Sequence, residues 1–139
     1  MKRRAANSPT MTSIVLDSSA VLAMVYGEPG GAKVHEAIVS SLLSISISAV
    51  NLCEVLVKLS QKSPIMSPQK LKAILPGVAV VPFGEGEAEQ VAALAKRCPD
   101  ISLGDRACLA LAINLDAPAW TTDKIWAKMP VGARLEMLR

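Results

Sequence analysis

Hydrophobic positions follow two different periods along this chain, and the changes of period predict alternating strands and helices. Short apolar runs rich in β-branched residues predict four strands, with a fifth near the C-terminus: 13–16, 44–48, 78–83, 119–121 and 131–138. Spacings of three and four residues predict the helical segments between them: 18–26, 32–43, 49–60, 68–75, 85–97, 102–114 and a turn at 124–128. Strands separated by helices predict a central parallel sheet of four to five strands, covered on both faces, in a three-layer α/β/α domain.

Length and charge indicate one domain preceded by a basic tail. The chain has 139 residues, which suits a single domain, and 51% of them are hydrophobic, which is ample for a packed core. Residues 1–10 have three basic side chains, no acid and no periodicity, so we predict a disordered tail there and one domain over 11–139. Met11 is an alternative natural start. The tail holds three of the 15 basic residues, which leaves 12 against 12 acids, so the net charge of +3 says little about the partner.

Composition also weighs against several classes of protein. No apolar run approaches the ~20 residues of a membrane-spanning helix, and no apolar segment follows the basic start as in a secretory signal, so we expect a cytoplasmic protein. Aromatic residues, at 3%, are too few for a platform on which bases stack. Cys53, Cys98 and Cys108 lie in apolar helical patterns without a C-x-x-C pair, which predicts buried thiols. His35 is the only histidine, and we find no nucleophile for it to activate.

Four acidic residues stand where strands end or where the following helices begin. Asp17 ends the first predicted strand, and Glu54 lies one turn into the helix after the second. Asp105 opens the helix predicted over 102–114, and Asp123 follows the fourth strand. Because ligands bind outside the carboxyl ends of parallel strands, we expect all four side chains to project at one edge of the sheet.

Asp17 and Glu54 each have a structural explanation to set against a chemical one. Asp17 could cap the helix that begins at Ser18. Glu54 could pair with Lys58, four residues further along the same helix. The neighbours of Glu54 are apolar, and an unpaired carboxylate is costly to bury among them, which weakens the structural explanation of the acids as a group.

Asp105 and Asp123 also match local helix caps, yet the four acids together favour a metal site. Asp105 follows Ser102 at the spacing of a capping box, and Asp123 precedes a helical turn. Four independent caps need not share an edge, whereas metal ligands must. Oxygen ligands without His or thiolate favour Mg²⁺ or Mn²⁺. One or two such ions can hold the attacking and leaving oxygens of a phosphoryl displacement.

The segments around these acids resemble the four motifs of PIN-domain nucleases, and of the VapC toxins of bacterial toxin–antitoxin pairs in particular. They are IVLDSSAVLA, VNLCEVLVKL, ISLGDRACLALA and AWTTDKIWAK, and the resemblance extends from about residue 13 to residue 128. It implies a parallel sheet in the order 3-2-1-4-5 and a Mg²⁺- or Mn²⁺-dependent endoribonuclease that acts as a toxin on RNA. It further implies a VapB-type antitoxin as partner and a homodimer.

The resemblance also implies roles for individual residues. The four motif acids would be catalytic metal ligands, and the last of them often acts behind the direct ligands or on a second metal: Asp17, Glu54, Asp105 and Asp123. Two hydroxyls fall where the family commonly has one near the metal or the scissile phosphate: Ser18 and Thr122. Two basic residues stand beside motif acids and are candidates for substrate phosphate contacts, with solvated side chains as the alternative: Arg106 and Lys124.

Other functions remain as alternatives. A catalytically silent PIN-fold module would only bind protein, although the presence of all four acids disfavours it. A metal-dependent phosphatase with Asp17 as nucleophile would be expected to have a second Asp where Ser19 stands. A receiver domain would need a phospho-acceptor Asp after the third strand, which instead ends in Val-Pro-Phe-Gly at residues 81–84.

Overall fold

A computed structural model of the chain describes residues 11–62 and 65–139. The predicted basic tail over residues 1–10 lies outside the described residues. The elements follow one another in this order: β1 Thr12–Leu16, α1 Ser18–Tyr26, α2 Gly31–Val39, β2 Leu43–Ser48, α3 Ala49–Lys62, α4 Pro68–Ile74, β3 Ala79–Val81, α5 Glu85–Arg97, α6 Leu103–Leu115, β4 Ala119–Thr121, a 3₁₀ helix Lys124–Lys128 and β5 Leu135–Met137.

The five strands form one parallel sheet in the order β3-β2-β1-β4-β5, which confirms the fold class and the implied strand order. The central strand β1 has β2 on one side and β4 on the other, with Leu16 opposite both Ile47 and Trp120. The strand order reverses between β1 and β4, and in such sheets the ligand site lies at the carboxyl ends of these two strands. Asp17 stands at this place, and its amide donates to the Trp120 carbonyl at 3.0 Å.

Two separate hydrophobic cores cover the two faces of the sheet. Successive side chains of β1 point to opposite faces, so Ile14 and Leu16 pack into one core and Val15 into the other. The first core includes α1, α2 and α3, and the second includes α5 and α6. This arrangement is the predicted three-layer α/β/α domain.

Some predicted element ends were wrong. The second helix was expected to reach residue 43 but ends at Val39, where a turn follows in which the Leu42 amide donates to the Ser40 hydroxyl at 3.2 Å. The third strand was expected over 78–83 but covers only Ala79–Val81. Pro82 follows it directly, and a proline has no amide with which to extend the ladder.

The cysteines follow the faces of their helices. Cys98 and Cys108 are buried as predicted, whereas Cys53 is exposed, so the prediction was wrong for that residue. The buried face of α3 holds Asn51 and Val55, and a residue two positions after Asn51 falls on the opposite side of the helix. None of the helices in the described ranges is long and apolar enough to cross a membrane.

Candidate active site

Asp17 is a buried carboxylate that is held by side chains and caps no helix. Its Oδ2 accepts hydrogen bonds from the Ser19 hydroxyl at 2.7 Å and from the Thr121 hydroxyl at 3.0 Å. Its Oδ1 is buried and has no hydrogen-bond partner among the described residues. Although Asp17 occupies the N-cap position of α1, its side chain makes no capping bond. The helix-cap alternative is therefore wrong for Asp17, and one of its oxygens is left for a ligand.

The surroundings of Asp17 disfavour its charged form. Its pKa is raised from 3.8 to about 6, chiefly because burial removes the carboxylate from water. The negative charges of Asp105 and Glu54 raise this pKa further, and the bonds from Ser19 and Thr121 lower it. A bound cation would reverse the balance, because it would favour the ionised carboxylate.

Glu54 is held by a buried amide. The Asn51 side chain donates from Nδ2 to Glu54 Oε1 at 3.1 Å and to the Gly104 carbonyl at 2.9 Å. Among the described residues, no ion pair joins Glu54 to Lys58, so the helix-pair alternative is wrong. A Cβ atom at Gly104 would collide with the Glu54 carboxylate, so a larger residue there would push this carboxylate out of its present position. Asn51 and Gly104 thus place Glu54 against the N-terminus of α6.

Asp105 and Asp123 are the two acids for which the local explanation is correct. Asp105 and Ser102 form a reciprocal capping box, with bonds of 3.2 and 3.1 Å between each side chain and the other's amide. Asp123 Oδ1 accepts from the Ile125 amide at 3.1 Å and caps the 3₁₀ helix. These bonds also fix where the carboxylates stand, so a cap and a ligand position are compatible here.

The four acids influence one another through their charges. The pKa of Asp105 is raised, first by burial, and then by the charges of Asp123 and Glu54, while its bonds with Ser102 lower it. The pKa of Asp17 is raised first by burial and then by the charges of Asp105 and Glu54. The buried Cys108 thiol also has a raised pKa, because burial and then Asp17, Asp105 and Glu54 oppose a thiolate there. Charge interactions therefore connect Asp17, Glu54, Asp105 and Asp123.

The candidate substrate contacts differ in what they touch. The Arg106 guanidinium donates to the carbonyls of Cys98 and Pro99 at 3.0–3.2 Å, a bonding pattern that favours an anchoring role for the loop before α6. Lys124 is exposed at the start of the 3₁₀ helix, next to Asp123. Thr122 is half-buried, and its amide donates to the Ser19 hydroxyl at 3.0 Å. Ser18 is half-buried at the first position of α1.

The hydroxyls that touch Asp17 are each one residue away from those the sequence singled out. They belong to Ser19 and Thr121, and not to Ser18 and Thr122. Thr121 belongs to β4, where alternate side chains point to opposite faces, so a shift of one residue changes the face. Asn51 was also missed, although its position on the buried face of an apolar helix, three residues before Glu54, is a usable signal.

The donors suit a hard divalent cation, though without a ready-made cage of carboxylates. In residues 11–62 and 65–139, no three His, Cys, Asp or Glu side chains stand close enough to hold an ion between them. The unpartnered, buried Asp17 Oδ1 is an oxygen ligand of the kind that Mg²⁺ prefers. Mg²⁺ usually keeps several waters and binds through one or two carboxylates together with substrate phosphate. The residues present therefore fit such an ion.

Comparisons with known proteins agree with this architecture. The family model described as the PIN domain matches residues 14–132. No curated protein matches the sequence.

Solved toxin–antitoxin structures share the fold. VapBC2 from Rickettsia felis, bound to a DNA fragment from its promoter, aligns with a TM-score of 0.73 at 18% identity over 92% of this chain and 100% of that one. VapBC-1 from nontypeable Haemophilus influenzae aligns with a TM-score of 0.70 at 13% identity over 91% and 98%. The sarcin–ricin loop cleaving toxin VapC20 from Mycobacterium tuberculosis aligns with a TM-score of 0.65 at 16% identity over 83% and 93%.

Proposed function

The chain belongs to the PIN-domain family, and from this premise we propose that it is a divalent-metal-dependent endoribonuclease. The observation that carries the proposal is the buried Asp17 carboxylate, which has one unpartnered oxygen and the charges of Glu54 and Asp105 nearby. A PIN-fold module that only binds protein would gain nothing from this arrangement, because a buried carboxylate oxygen without a partner lowers stability. This cost disfavours the catalytically silent alternative.

We propose that four acids hold Mg²⁺ or Mn²⁺ at the carboxyl edge of the sheet, one or two of them as direct ligands and the others through bound water: Asp17, Glu54, Asp105 and Asp123. When bound, such an ion lowers the pKa of an attacking water and stabilises the negative charge that develops on the phosphate. Ser19 and Thr121 fix the orientation of Asp17, and Asn51 fixes that of Glu54. Their role is to keep the carboxylates in place, which limits reorganisation during phosphodiester hydrolysis.

We further propose that the enzyme is the toxin of a VapC–VapB-like pair in the cytoplasm. The structural neighbours include toxin–antitoxin complexes whose alignments cover more than nine-tenths of this chain. This similarity supports a VapB-type antitoxin as partner. In this proposal a homodimer cleaves RNA and arrests growth or translation when the antitoxin is absent. Ser18, Thr122, Arg106 and Lys124 remain candidates for contacts with the substrate.

Cleavage of RNA by the purified protein tests the enzymatic part of the proposal. We expect cleavage with Mg²⁺ or Mn²⁺ and none with EDTA. Replacing Asp17 by Asn should reduce the rate by at least about 10²–10³-fold, the usual cost of losing one catalytic electrostatic group. Unchanged cleavage by the Asp17→Asn protein would contradict the proposal.

Expression in a bacterial host tests the toxin part. We expect induction of the wild-type chain to arrest growth and induction of the Asp105→Asn variant to leave growth normal, at equal protein levels. Equal growth arrest by both proteins would show that the harm does not come from catalysis.

A further inference from the structure

A groove between α1 and α3 opens beside the acid edge of the sheet. Ser19 lines it on the α1 side, Lys58 and Lys62 line it on the α3 side, and Thr122 and Arg139 are among its other lining residues. The Ser19 hydroxyl is the group that donates to Asp17, so the groove begins at the proposed catalytic site. We call it the α1–α3 groove.

The α1–α3 groove has an excess of positive charge. It is lined by three cations and one carboxylate, Glu28, which lies 3.5 Å from Arg139. Lys58 and Lys62 are both exposed, and no carboxylate in the described part of the chain is within ion-pair distance of either. Two charges are therefore uncompensated, and they favour an anionic occupant.

The two lysines continue a row that starts at the proposed metal site. Glu54, Lys58 and Lys62 follow one another at intervals of four residues on α3, so each step advances ~6 Å along the helix. Successive phosphates of an extended single strand are separated by a comparable distance. A strand whose scissile phosphate lies at the acid edge would therefore bring its next phosphates to Lys58 and then to Lys62.

We propose that Lys58 and Lys62 bind consecutive backbone phosphates of single-stranded RNA, beside the phosphate that is cleaved. The α1–α3 groove is then the path by which the substrate leaves the acid edge. This inference rests on the proposed nuclease function and adds to it the path of the bound strand. Contacts of lysine with phosphate fix the position of a nucleic acid without reading its sequence. Lys58 and Lys62 therefore contribute to the affinity for RNA and do not determine which RNA sequence is cleaved.

The salt dependence of RNA binding tests this proposal. The probe is a fluorescent single-stranded RNA of about 20 nucleotides and mixed sequence, bound in Mg²⁺ to proteins that all carry Asp17→Asn to prevent cleavage. Each lost phosphate contact removes about 0.7 from the slope of log affinity against log salt on single strands. Lys58→Ala with Lys62→Ala should therefore reduce the slope by about 1.4 and weaken binding by about 10- to 25-fold near 0.1 M salt.

A second pair of lysines provides the matched control. Lys70 and Lys72 are exposed on α4 and do not line the α1–α3 groove, so their double replacement by Ala removes the same charge elsewhere. We expect that control to keep the wild-type slope. An unchanged slope in the Lys58/Lys62 variant, or an equal loss in both variants, would overturn the proposal. Equally tight binding of the RNA and of a poly-glutamate peptide of the same charge would also overturn the proposal, because the occupant of the groove would then be an acidic protein segment.

Cleavage by proteins with Asp17 intact separates this proposal from the one on which it rests. Lys58→Ala with Lys62→Ala should raise the KM for the oligonucleotide and leave kcat unchanged. If the wild-type protein cleaves RNA and the lysine variant has an unchanged KM and binding slope, only the groove proposal fails. If the wild-type protein binds RNA through these lysines but never cleaves it, the nuclease proposal fails and the binding site stands.

Discussion

The acid edge has two halves that are built in different ways. Asp17 and Glu54 are held by other side chains, through Ser19, Thr121 and Asn51. Asp105 and Asp123, by contrast, are held by backbone amides of their own helix starts. The first half makes no helix cap and contains the unpartnered oxygen of Asp17, whereas each acid of the second half also stabilises local structure.

This difference separates stability from function. In the first half, removal of the Asp17 charge should stabilise the metal-free protein while it abolishes the proposed chemistry. In the second half, removal of the carboxylate should cost a capping bond whether or not a metal is bound. Variants of the two halves therefore distinguish an acid that only binds the metal from an acid that both binds the metal and caps a helix.

The largest expected effect is on the stability of the metal-free protein as pH changes. The pKa of Asp17 is raised from 3.8 to about 6, so the folded state binds the proton more tightly than the unfolded state. Its contribution is fully favourable below pH ~4 and is lost as the pH rises through 6. The Asp17→Asn protein lacks this loss, so it should gain about 2 kcal/mol relative to wild type between pH 4 and pH 7.

Denaturant unfolding in EDTA at several pH values measures this effect. Parallel stability curves for wild type and Asp17→Asn would show that burial of Asp17 carries no such penalty.

A smaller effect is expected from Asn51, on which the position of Glu54 depends. Replacing Asn51 by Leu removes its bonds to Glu54 and to the Gly104 carbonyl. Loss of a group that orients a metal ligand typically costs about 10–100-fold in metal affinity or activity. Mn²⁺ titration of the folded variant measures this cost.

The control for Asn51 is Leu59→Ala, on the same buried face of α3. A cavity there should lower stability by about 2–5 kcal/mol without touching the acids, so metal affinity should stay at the wild-type level. If the Asn51 and Leu59 variants lose metal affinity equally, Asn51 acts through general stability and not through Glu54.

The smallest effect concerns the cap at the 3₁₀ helix. Asp123→Ala removes the bond to the Ile125 amide and should destabilise the metal-free protein by about 1 kcal/mol, whereas Asp123→Asn retains an acceptor and should cost less. Thermal unfolding in EDTA compares the two variants. Equal stability of the Ala and Asn proteins would remove Asp123 from the group of acids with a structural role.

The same contrast explains what could be predicted from the sequence. The capping box of Ser102 and Asp105 was visible because its partners are three residues apart. The bond between Thr121 and Asp17 spans 104 positions, and that between Asn51 and Gly104 spans 53, so both depend on how the layers pack. The strand order was implied by the resemblance alone, and the shared edge of the acids was expected from the alternation of strands and helices. The exposure of Cys53 did not, because it depends on which side of α3 faces the core.

Binding of Mn²⁺ to the metal-free protein tests the central claim most directly. Calorimetric titration should show saturable binding to the wild-type chain near neutral pH and a rise in its melting temperature, because a ligand that binds only the folded state stabilises it. The Asp17→Asn protein should be at least as stable without metal and should show neither binding nor a rise. Equal binding by the two proteins would contradict the assignment of Asp17 as a metal ligand.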